Sequence, residues 1–324
     1  MHIIFSFKRQ LLIDLLAVFI LIACIPCLAL SQDTTGHLLK IGLLPVPDSM
    51  PFFVAESLGL FEAEKIKVKA IPVGSALDRD QLMQAGKIDA MLNEMATTAM
   101  FNRKKIKLKV LCMARASRPG TPLFRILAAP GSGLKSVADL ANVPIAVSMN
   151  TIIEYITDRL LTKEGLDRGR IVKKSIPSIP ERYQLLMQGR IRAATLPDPL
   201  AQSALAAGAV NIIDDAAHPR YSTTVLSFST DAINTDPETV RGFLKAWNLA
   251  AAGINADPDA FRPILLNKIR VPENIRSTYV IPPFSCNAIP NAHQWMDMMQ
   301  WLVKKGLLDH PLAYEDSVTD RFLP

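Results

Sequence analysis

From Leu38 onward, short apolar runs alternate with amphipathic segments at helical spacing. The run LLKIGLLPV predicts a strand, and FFVAESLGLFEAEK after it predicts a helix that breaks at Gly59. IKVKAIPV predicts a second strand, DRDQLMQAGK a helix that stops at a glycine, and IDAMLNEM a strand that runs into a loop. Strands that alternate with helices are typical of parallel sheets, so this pattern predicts an α/β fold.

Three later helices are marked by their ends and their apolar residues. The helix predicted after Thr151 is followed by Gly165, at the position where a left-handed cap belongs. Asp236 and Pro237 supply the capping residue and first-turn proline of a second helix. Apolar residues from Trp295 recur at helical spacing and predict a third helix. We expect its tryptophans to lie in the core.

Two stretches of the chain resemble each other. LMQAGKIDAML, at 82–92, and LMQGRIRAATL, at 186–196, each read as a helix end, a glycine, a basic residue and a strand. A polar loop follows both stretches. Duplicated helix–strand units predict two similar lobes, and chance similarity between amphipathic helix ends is the alternative.

The N-terminus predicts export. Lys8 and Arg9 precede an apolar run at 11–30, and small residues before Ser31 suit a signal peptidase, so we predict a signal peptide at 1–31. One alternative is a lipobox that ends at Cys24 and leaves this cysteine as a lipid anchor. Another is an uncleaved membrane anchor. All three place the globular part outside the cytoplasmic membrane, in the periplasm.

Charge and cysteine content exclude several classes of protein. The formal net charge is +6, and the densest basic cluster, at 103–109, alternates with apolar residues without aromatic interleaving, which argues against nucleic-acid binding. Outside the signal only Cys112 and Cys286 remain, and we expect free thiols, with a disulfide as the alternative. No metal-ligand spacing and no paired nucleophile and base is visible, so no metal, cofactor or catalytic residue is predicted.

Polar or sterically special residues follow four of the predicted strands. Ligands of open parallel sheets gather at the carboxyl ends of strands, so two lobes facing each other would bring these positions into one cleft. Ordinary cap and turn chemistry is the alternative for each loop alone. The candidate ligand-binding residues are Asp48, Ser49, Met50, Phe52, Asn93, Glu94, Ser148, Met149, Asn150, Thr151 and Asp198.

The stretch KIGLLPVPDSMPFFVAESLGLFEAEKIKVKAIPV, followed by AGKIDAML, resembles the substrate-binding proteins of ABC importers. The similarity is to the nitrate, sulfonate, taurine and pyrimidine-precursor group (NMT1/THI5-like), which is related to the pyrimidine-precursor synthase of thiamin biosynthesis. It runs from about Leu38 to Leu308 and is strongest at the start. The sequence departs from the family pattern at Arg192, where an acidic residue is usual, and at Asp198, where Glu is common.

This resemblance implies a two-lobed periplasmic-binding-protein fold of type II, in which each lobe is a mainly parallel sheet flanked by helices. The first lobe would comprise residues 38–126 and 225–324, and the second lobe residues 127–224. Strands at LFRILAA and VLSFST would cross between them. Such lobes close on a ligand by hinge motion.

The residues suggest two ends for the ligand. Ser148, Asn150 and Thr151 offer polar groups at a helix N-terminus, which favours an oxygen-rich or anionic group. The carboxylates Asp48, Glu94 and Asp198 opposite would favour a cationic or N–H-donating group. The three candidate aromatic residues for stacking a pyrimidine are Phe52, Tyr155 and Tyr221.

An aminosulfonate suits both ends, and an aminopyrimidine stays open as the alternative. The predicted function is therefore delivery of a small polar solute to an ABC permease, by a monomeric protein without enzymatic activity. An enzyme of the pyrimidine-precursor synthase type and a sensory exported protein are the alternatives.

Overall fold

The computed structural model describes residues 37–324; the predicted signal peptide and Cys24 lie outside the described residues. Within this range the strands form two five-stranded sheets. The strands of the first sheet are β1 (Leu39–Leu43), β2 (Val68–Pro72), β3 (Ala90–Asn93), β4 (Leu108–Ala116) and β10 (Thr223–Ser229). Those of the second are β5 (Phe124–Ala128), β6 (Ile145–Val147), β7 (Lys173–Ser175), β8 (Ala193–Pro197) and β9 (Val210–Asp214).

Both sheets have the same plan. The strand orders are β2-β1-β3-β10-β4 and β7-β6-β8-β5-β9. In the first sheet β1 pairs in parallel with β2 and β3, and β10 is antiparallel to both of its neighbours. In the second sheet β6 and β5 take the corresponding roles. The two similar sequence stretches lead into β3 and β8, the third strand of each sheet, so the prediction of two similar, mainly parallel α/β sheets is confirmed.

The helices predicted from the sequence lie close to their predicted positions, and the structure adds helices that were not predicted. They are α1 (Met50–Ser57), α2 (Leu60–Ala63), α3 (Ala76–Gln84), α4 (Met95–Asn102), α5 (Ile152–Lys163), α6 (Ile179–Met187), α7 (Leu200–Ala206), α8 (Thr230–Thr235), α9 (Pro237–Ala256), α10 (Arg262–Lys268), α11 (Ala292–Lys304) and α12 (Tyr314–Ser317). Gly59 separates α1 from α2 with a φ of 66°, a left-handed conformation that glycine adopts at no steric cost. Asp236 caps α9 by accepting a hydrogen bond from the Thr239 amide at 3.0 Å. Among the described helices, none combines the length and apolar character needed to cross a bilayer.

The apolar core has parts that belong to one sheet and a part that joins both. On the first sheet, α9 packs against α1, and the rings of Phe61 and Phe243 stack with centroids 5.6 Å apart. The cluster around Trp295 and Met298 of α11 contains buried residues of both sheets, such as Val110 and Ile126. Helix α11 therefore stabilises the contact between the two sheets.

Two segments carry the chain between the sheets, residues 117–123 before β5 and residues 215–222 before β10. The buried carboxylate of Asp215 joins them, because it accepts hydrogen bonds from Ser117 Oγ at 2.8 Å and from the Leu123 amide at 3.0 Å. The second sheet thus starts at Phe124, three residues before the predicted boundary, and the first sheet resumes at Thr223. The lobe boundaries themselves remain a prediction.

Candidate functional site

A cleft of about 90 Å³ lies where the carboxyl ends of strands from both sheets converge. Loops after β1 and β3 form its wall on the first sheet, and loops after β6 and β8 form its wall on the second. The predicted site residues that line it are Asp48, Asn93, Glu94, Ser148, Thr151 and Asp198. The structure therefore brings together side chains that are up to 150 residues apart in sequence.

Three of the predicted site residues, which follow β1, do not line the cleft. Ser49 is buried and donates its hydroxyl to the Leu44 carbonyl at 2.7 Å, which closes the loop after β1. Met50 and Phe52 are completely buried in the core of the first sheet, where the Phe52 ring packs against Phe61. The apolar periodicity of α1 accounts for both residues, so they serve packing and do not line the cleft.

Two predicted residues of the turn after β6 also lie outside the cleft lining. Met149 is half-buried and packs against the core cluster shared by both sheets. Asn150 is exposed, has a φ of 62°, and donates its backbone amide to Glu154 Oε2 at 2.7 Å. Asparagine tolerates this left-handed conformation better than most residues, so its role here is that of a turn residue.

Each carboxylate of the first-sheet wall has a buried arginine partner. Arg115 Nη1 lies 3.0 Å from Asp48 Oδ1, and Arg79 Nη1 lies 3.2 Å from Glu94 Oε2. Both arginine side chains are almost completely buried. Burial raises the pKa of Asp48, and the Arg115 guanidinium opposes that rise. These carboxylates are therefore neutralised within the protein, which removes the reason to expect a cationic group of the ligand beside them.

The acidic residue of the second-sheet wall is paired as well. Asp198, after β8, forms an ion pair with Arg125 on the adjacent strand β5. Burial raises the pKa of Asp198, while the nearby Arg125 and Arg115 guanidinium groups lower it. Asp48 and Arg115 of the first sheet thus lie in the same electrostatic cluster as Asp198 and Arg125 of the second.

The turn between β6 and α5 is held mostly by its own hydrogen bonds. Thr151 is the N-cap of α5, because its hydroxyl accepts from the Ile153 amide at 3.1 Å and donates to the Ser148 carbonyl at 2.8 Å. Ser148 Oγ donates to the Pro177 carbonyl at 3.1 Å and accepts from Arg182 Nη1 at 2.9 Å. Capping chemistry accounts for Thr151, and Ser148 connects the cleft to a buried guanidinium.

Arg182, on α6, differs from the other buried arginines. Its side chain is completely buried, and its Nη1 also donates to the Ile176 carbonyl at 2.7 Å. Its Nε and Nη2 have no hydrogen-bond partner, and no carboxylate of the described residues forms an ion pair with it. Burial without a negative partner lowers the pKa of Arg182 to about 10. A positive charge without a counter-charge therefore lies next to the cleft, separated from it by the Ser148 hydroxyl.

The arginines around the cleft were missed from sequence. Arg79 follows an aspartate in a short amphipathic helix, and Arg182 follows a glutamate in another, so both patterns suggest a solvated helix face. Arg115 ends an apolar strand at a position that resembles a strand end leaving the core. The sequence feature that could have indicated their burial is their position within, or next to, elements whose other residues are buried.

The chain was compared with known families and proteins. A family model described as NMT1/THI5 like matches residues 46–261, which is more than half of the chain. This chain belongs to the NMT1/THI5-like family. A Haemophilus influenzae protein named for thiamine biosynthesis is 24% identical over 284 residues, covering 83% of this chain and 87% of that protein.

Solved structures share the fold at low identity. A ligand-binding component of an ABC-type import system from Staphylococcus aureus, with zinc bound, superposes with a TM-score of 0.75 at 14% identity, covering 89% of this chain and 98% of that one. The alkanesulfonate-binding protein SsuA from Xanthomonas axonopodis pv. citri, bound to MOPS, gives 0.74 at 17% identity, covering 88% and 98%. The NMT1/THI5-like chain thus has the fold of periplasmic solute-binding proteins.

The same fold also occurs in an enzyme. The desulfurization enzyme DSZB superposes with a TM-score of 0.62 at 15% identity, covering 89% of this chain and 97% of that one. In the NMT1/THI5-like chain both Cys112 and Cys286 are free, and burial raises the pKa of the Cys112 thiol to about 12. The described residues contain no group of three His, Cys, Asp or Glu side chains that could hold a metal ion.

Proposed function

We propose that this protein is the extracytoplasmic solute-binding protein of an ABC importer. The observation that carries the proposal is the cleft itself, which is lined by polar side chains from the strand ends of both sheets. The two segments that connect the sheets, at 117–123 and 215–222, are joined by hydrogen bonds to Asp215 and could act as a hinge. A hinge allows two lobes to close on a small solute. The membership of the family and the shared fold support the same function.

Among sulfonate, taurine, nitrate and pyrimidine solutes, the charges of the cleft favour a solute with an anionic oxygen group. The carboxylates of the cleft are paired with arginines, whereas Arg182 is buried without a counter-charge behind Ser148. A buried charge is costly unless it is paired. An anionic group in the cleft beside Ser148 would supply the missing charge, so we propose a sulfonate as the solute.

A pyrimidine fits this cleft less well. Phe124 is the aromatic residue among the described side chains that line it. The residues considered for stacking are used elsewhere: Phe52 lies in the core, Tyr155 donates to Asp297 Oδ2 at 2.6 Å, and the Tyr221 ring packs under Arg220. Stacking on an aromatic face would therefore depend on Phe124 alone.

Location and partner follow from the same proposal. The predicted signal peptide at 1–31 would direct the chain to the periplasm, by cleavage or through a lipid on Cys24. A monomer would then deliver the solute to a permease in the cytoplasmic membrane. An enzymatic role that uses a cysteine nucleophile would need an activated thiol, and the raised pKa of the buried Cys112 thiol disfavours that residue.

Thermal unfolding across a solute panel tests this function. The panel contains ethanesulfonate, taurine, nitrate, an aminopyrimidine and neutral amino acids. A solute at 100 times its dissociation constant adds about 2.7 kcal/mol to the stability, which raises the melting temperature by a few degrees. We expect a shift with the sulfonates. A shift with the aminopyrimidine alone would contradict the proposed solute, and no shift with any solute would favour the sensory alternative.

A further inference from the structure

A second cavity, of about 400 Å³, lies outside the cleft, between the C-terminal half of α5 and the end of α11. It shares no lining residue with the cleft. Its size falls within the range of small-molecule sites. The basic residues that line it are Arg159, Arg168, Lys173, Lys304 and Lys305.

Three of these cations are held in place by carboxylates beneath them. Lys173 Nζ lies 2.9 Å from Glu154 and 2.6 Å from Asp158, and Lys305 forms an ion pair with the same Glu154. Arg159 Nε donates to Asp297 Oδ2 at 2.8 Å. Although burial favours a neutral acid, hydrogen bonds from Lys305, the Asn150 amide and Lys173 hold the pKa of Glu154 below its usual range.

Trp301, which also lines the cavity, is held by contacts inside the protein. The Trp301 indole donates to Asp158 Oδ2 at 2.9 Å, and its ring packs edge-on against Tyr155 at 5.5 Å. Both Trp301 and Tyr155 are almost completely buried. Because Arg159, Lys173, Lys305 and the indole are held by partners inside the protein, little conformational entropy is lost when a ligand binds these four groups.

Positive charge exceeds negative charge around this cavity. Five cations line the cavity, and three carboxylates, Glu154, Asp158 and Asp297, form ion pairs with three of them. Arg168 and Lys304 are exposed, and among the described residues neither forms an ion pair. Isolated surface charges gain little from a single ion, but several cations around one concave site act together on a multivalent anion.

We propose that this cavity binds a small polyanion that carries phosphate groups, at a site separate from the solute cleft. Arg168 and Lys304 would contact the anion from the rim, and Arg159, Lys173 and Lys305 would provide the positive wall. The guanidinium groups suit phosphate because they donate two parallel hydrogen bonds to it. This inference does not depend on the solute of the cleft.

Calorimetric titration of pyrophosphate into the protein expressed from the full-length sequence, in about 150 mM salt to screen weak surface charges, tests the proposal. We expect one saturable site. The double variant Arg168→Ala/Lys304→Ala is expected to lower the affinity at least tenfold. A control variant, Lys65→Ala/Lys67→Ala, removes the same net charge at exposed positions outside the cavity and should keep the affinity.

Two further experiments distinguish this cavity from the cleft and a lipid headgroup from a soluble phosphate. Arg182→Met should leave pyrophosphate binding unchanged, because it acts at the cleft. Vesicles that contain phosphatidylglycerol should compete with pyrophosphate if the natural source of phosphate is a lipid headgroup, and should not compete if it is a soluble molecule. The proposal is overturned if pyrophosphate does not saturate, or if the cavity and control variants lower its affinity equally.

Discussion

The two walls of the cleft differ in whether their buried arginines have a carboxylate partner. On the first-sheet wall Arg79 and Arg115 each face a carboxylate at 3.0–3.2 Å. On the second-sheet wall Arg182 is equally buried but has two nitrogen atoms without a partner. The first arrangement balances each guanidinium charge within the protein, although Arg115 Nε also has no hydrogen-bond partner. The second leaves a buried positive charge without a counter-charge, which is the arrangement expected beside a site that binds an anion.

The largest expected effect comes from breaking an ion pair of the first-sheet wall. Arg115→Met leaves Asp48 buried without its ion-pair partner and removes the hydrogen bond from Arg115 Nη2 to the Pro122 carbonyl, 3.2 Å long. We expect a loss of about 3 kcal/mol in the free energy of unfolding. Urea unfolding measures it. A loss below about 1 kcal/mol would mean that the pair does not differ from a surface ion pair.

The same substitution on the other wall should have a different result. Arg182→Met removes a charge that has no counter-charge, at the cost of its hydrogen bonds to Ser148 and Ile176. The free energy of unfolding of the ligand-free protein should stay the same or rise by up to about 1 kcal/mol. Urea unfolding of both variants under identical conditions makes the comparison. Equal losses for Arg115→Met and Arg182→Met would remove the distinction between the walls.

A pH dependence tests the segment that joins the two walls. Burial raises the pKa of Asp215 from 3.8 to about 6, so the folded protein binds the proton more tightly than the unfolded chain does. Stability from this group is present at low pH and is lost as the pH rises through 6. Between pH 5 and pH 7 the wild type should therefore lose about 1 kcal/mol relative to Asp215→Asn. If the difference in stability between the wild type and Asp215→Asn did not change with pH, the raised pKa of Asp215 would be contradicted.

The smallest effect is expected from the helix cap. Thr151→Ala removes the hydroxyl that accepts from the Ile153 amide, and such caps contribute about 1 kcal/mol. Because the hydroxyl is used inside the turn, we expect a stability loss of that size and little change in sulfonate affinity. Ser178→Ala, at the N-cap of α6, is the matched control for a cap outside the cleft lining. A large affinity loss for Thr151→Ala alone would make Thr151 a ligand contact.

The fold could be predicted from sequence because its signals are local and repeated. Apolar alternation, the glycine at 59 and the cap at Asp236 each specify one element, and the two similar stretches indicate equivalent sheets. Strand ends meet at one edge of a parallel sheet, so the order of strands and loops along the chain is enough to expect Asp48, Glu94 and Ser148 in one cleft.

Charge pairing in the cleft could not be predicted in the same way. The partners Asp48 and Arg115 are separated by 67 residues, and Arg182 lies 34 residues from Ser148. Nothing in the local pattern distinguishes an arginine that will be buried from one on a solvated helix face. The sequence analysis therefore expected a cationic ligand group beside the carboxylates, because it did not foresee the arginines that neutralise them.

The most direct test of the anion-binding cleft is a calorimetric titration of ethanesulfonate into the wild type, Arg182→Met and Arg182→Lys. We expect saturable binding by the wild type, a loss of at least tenfold for Arg182→Met, and partial recovery for Arg182→Lys because the positive charge returns without the guanidinium geometry. Equal affinity in all three proteins, or no binding by the wild type, would contradict the role assigned to Arg182.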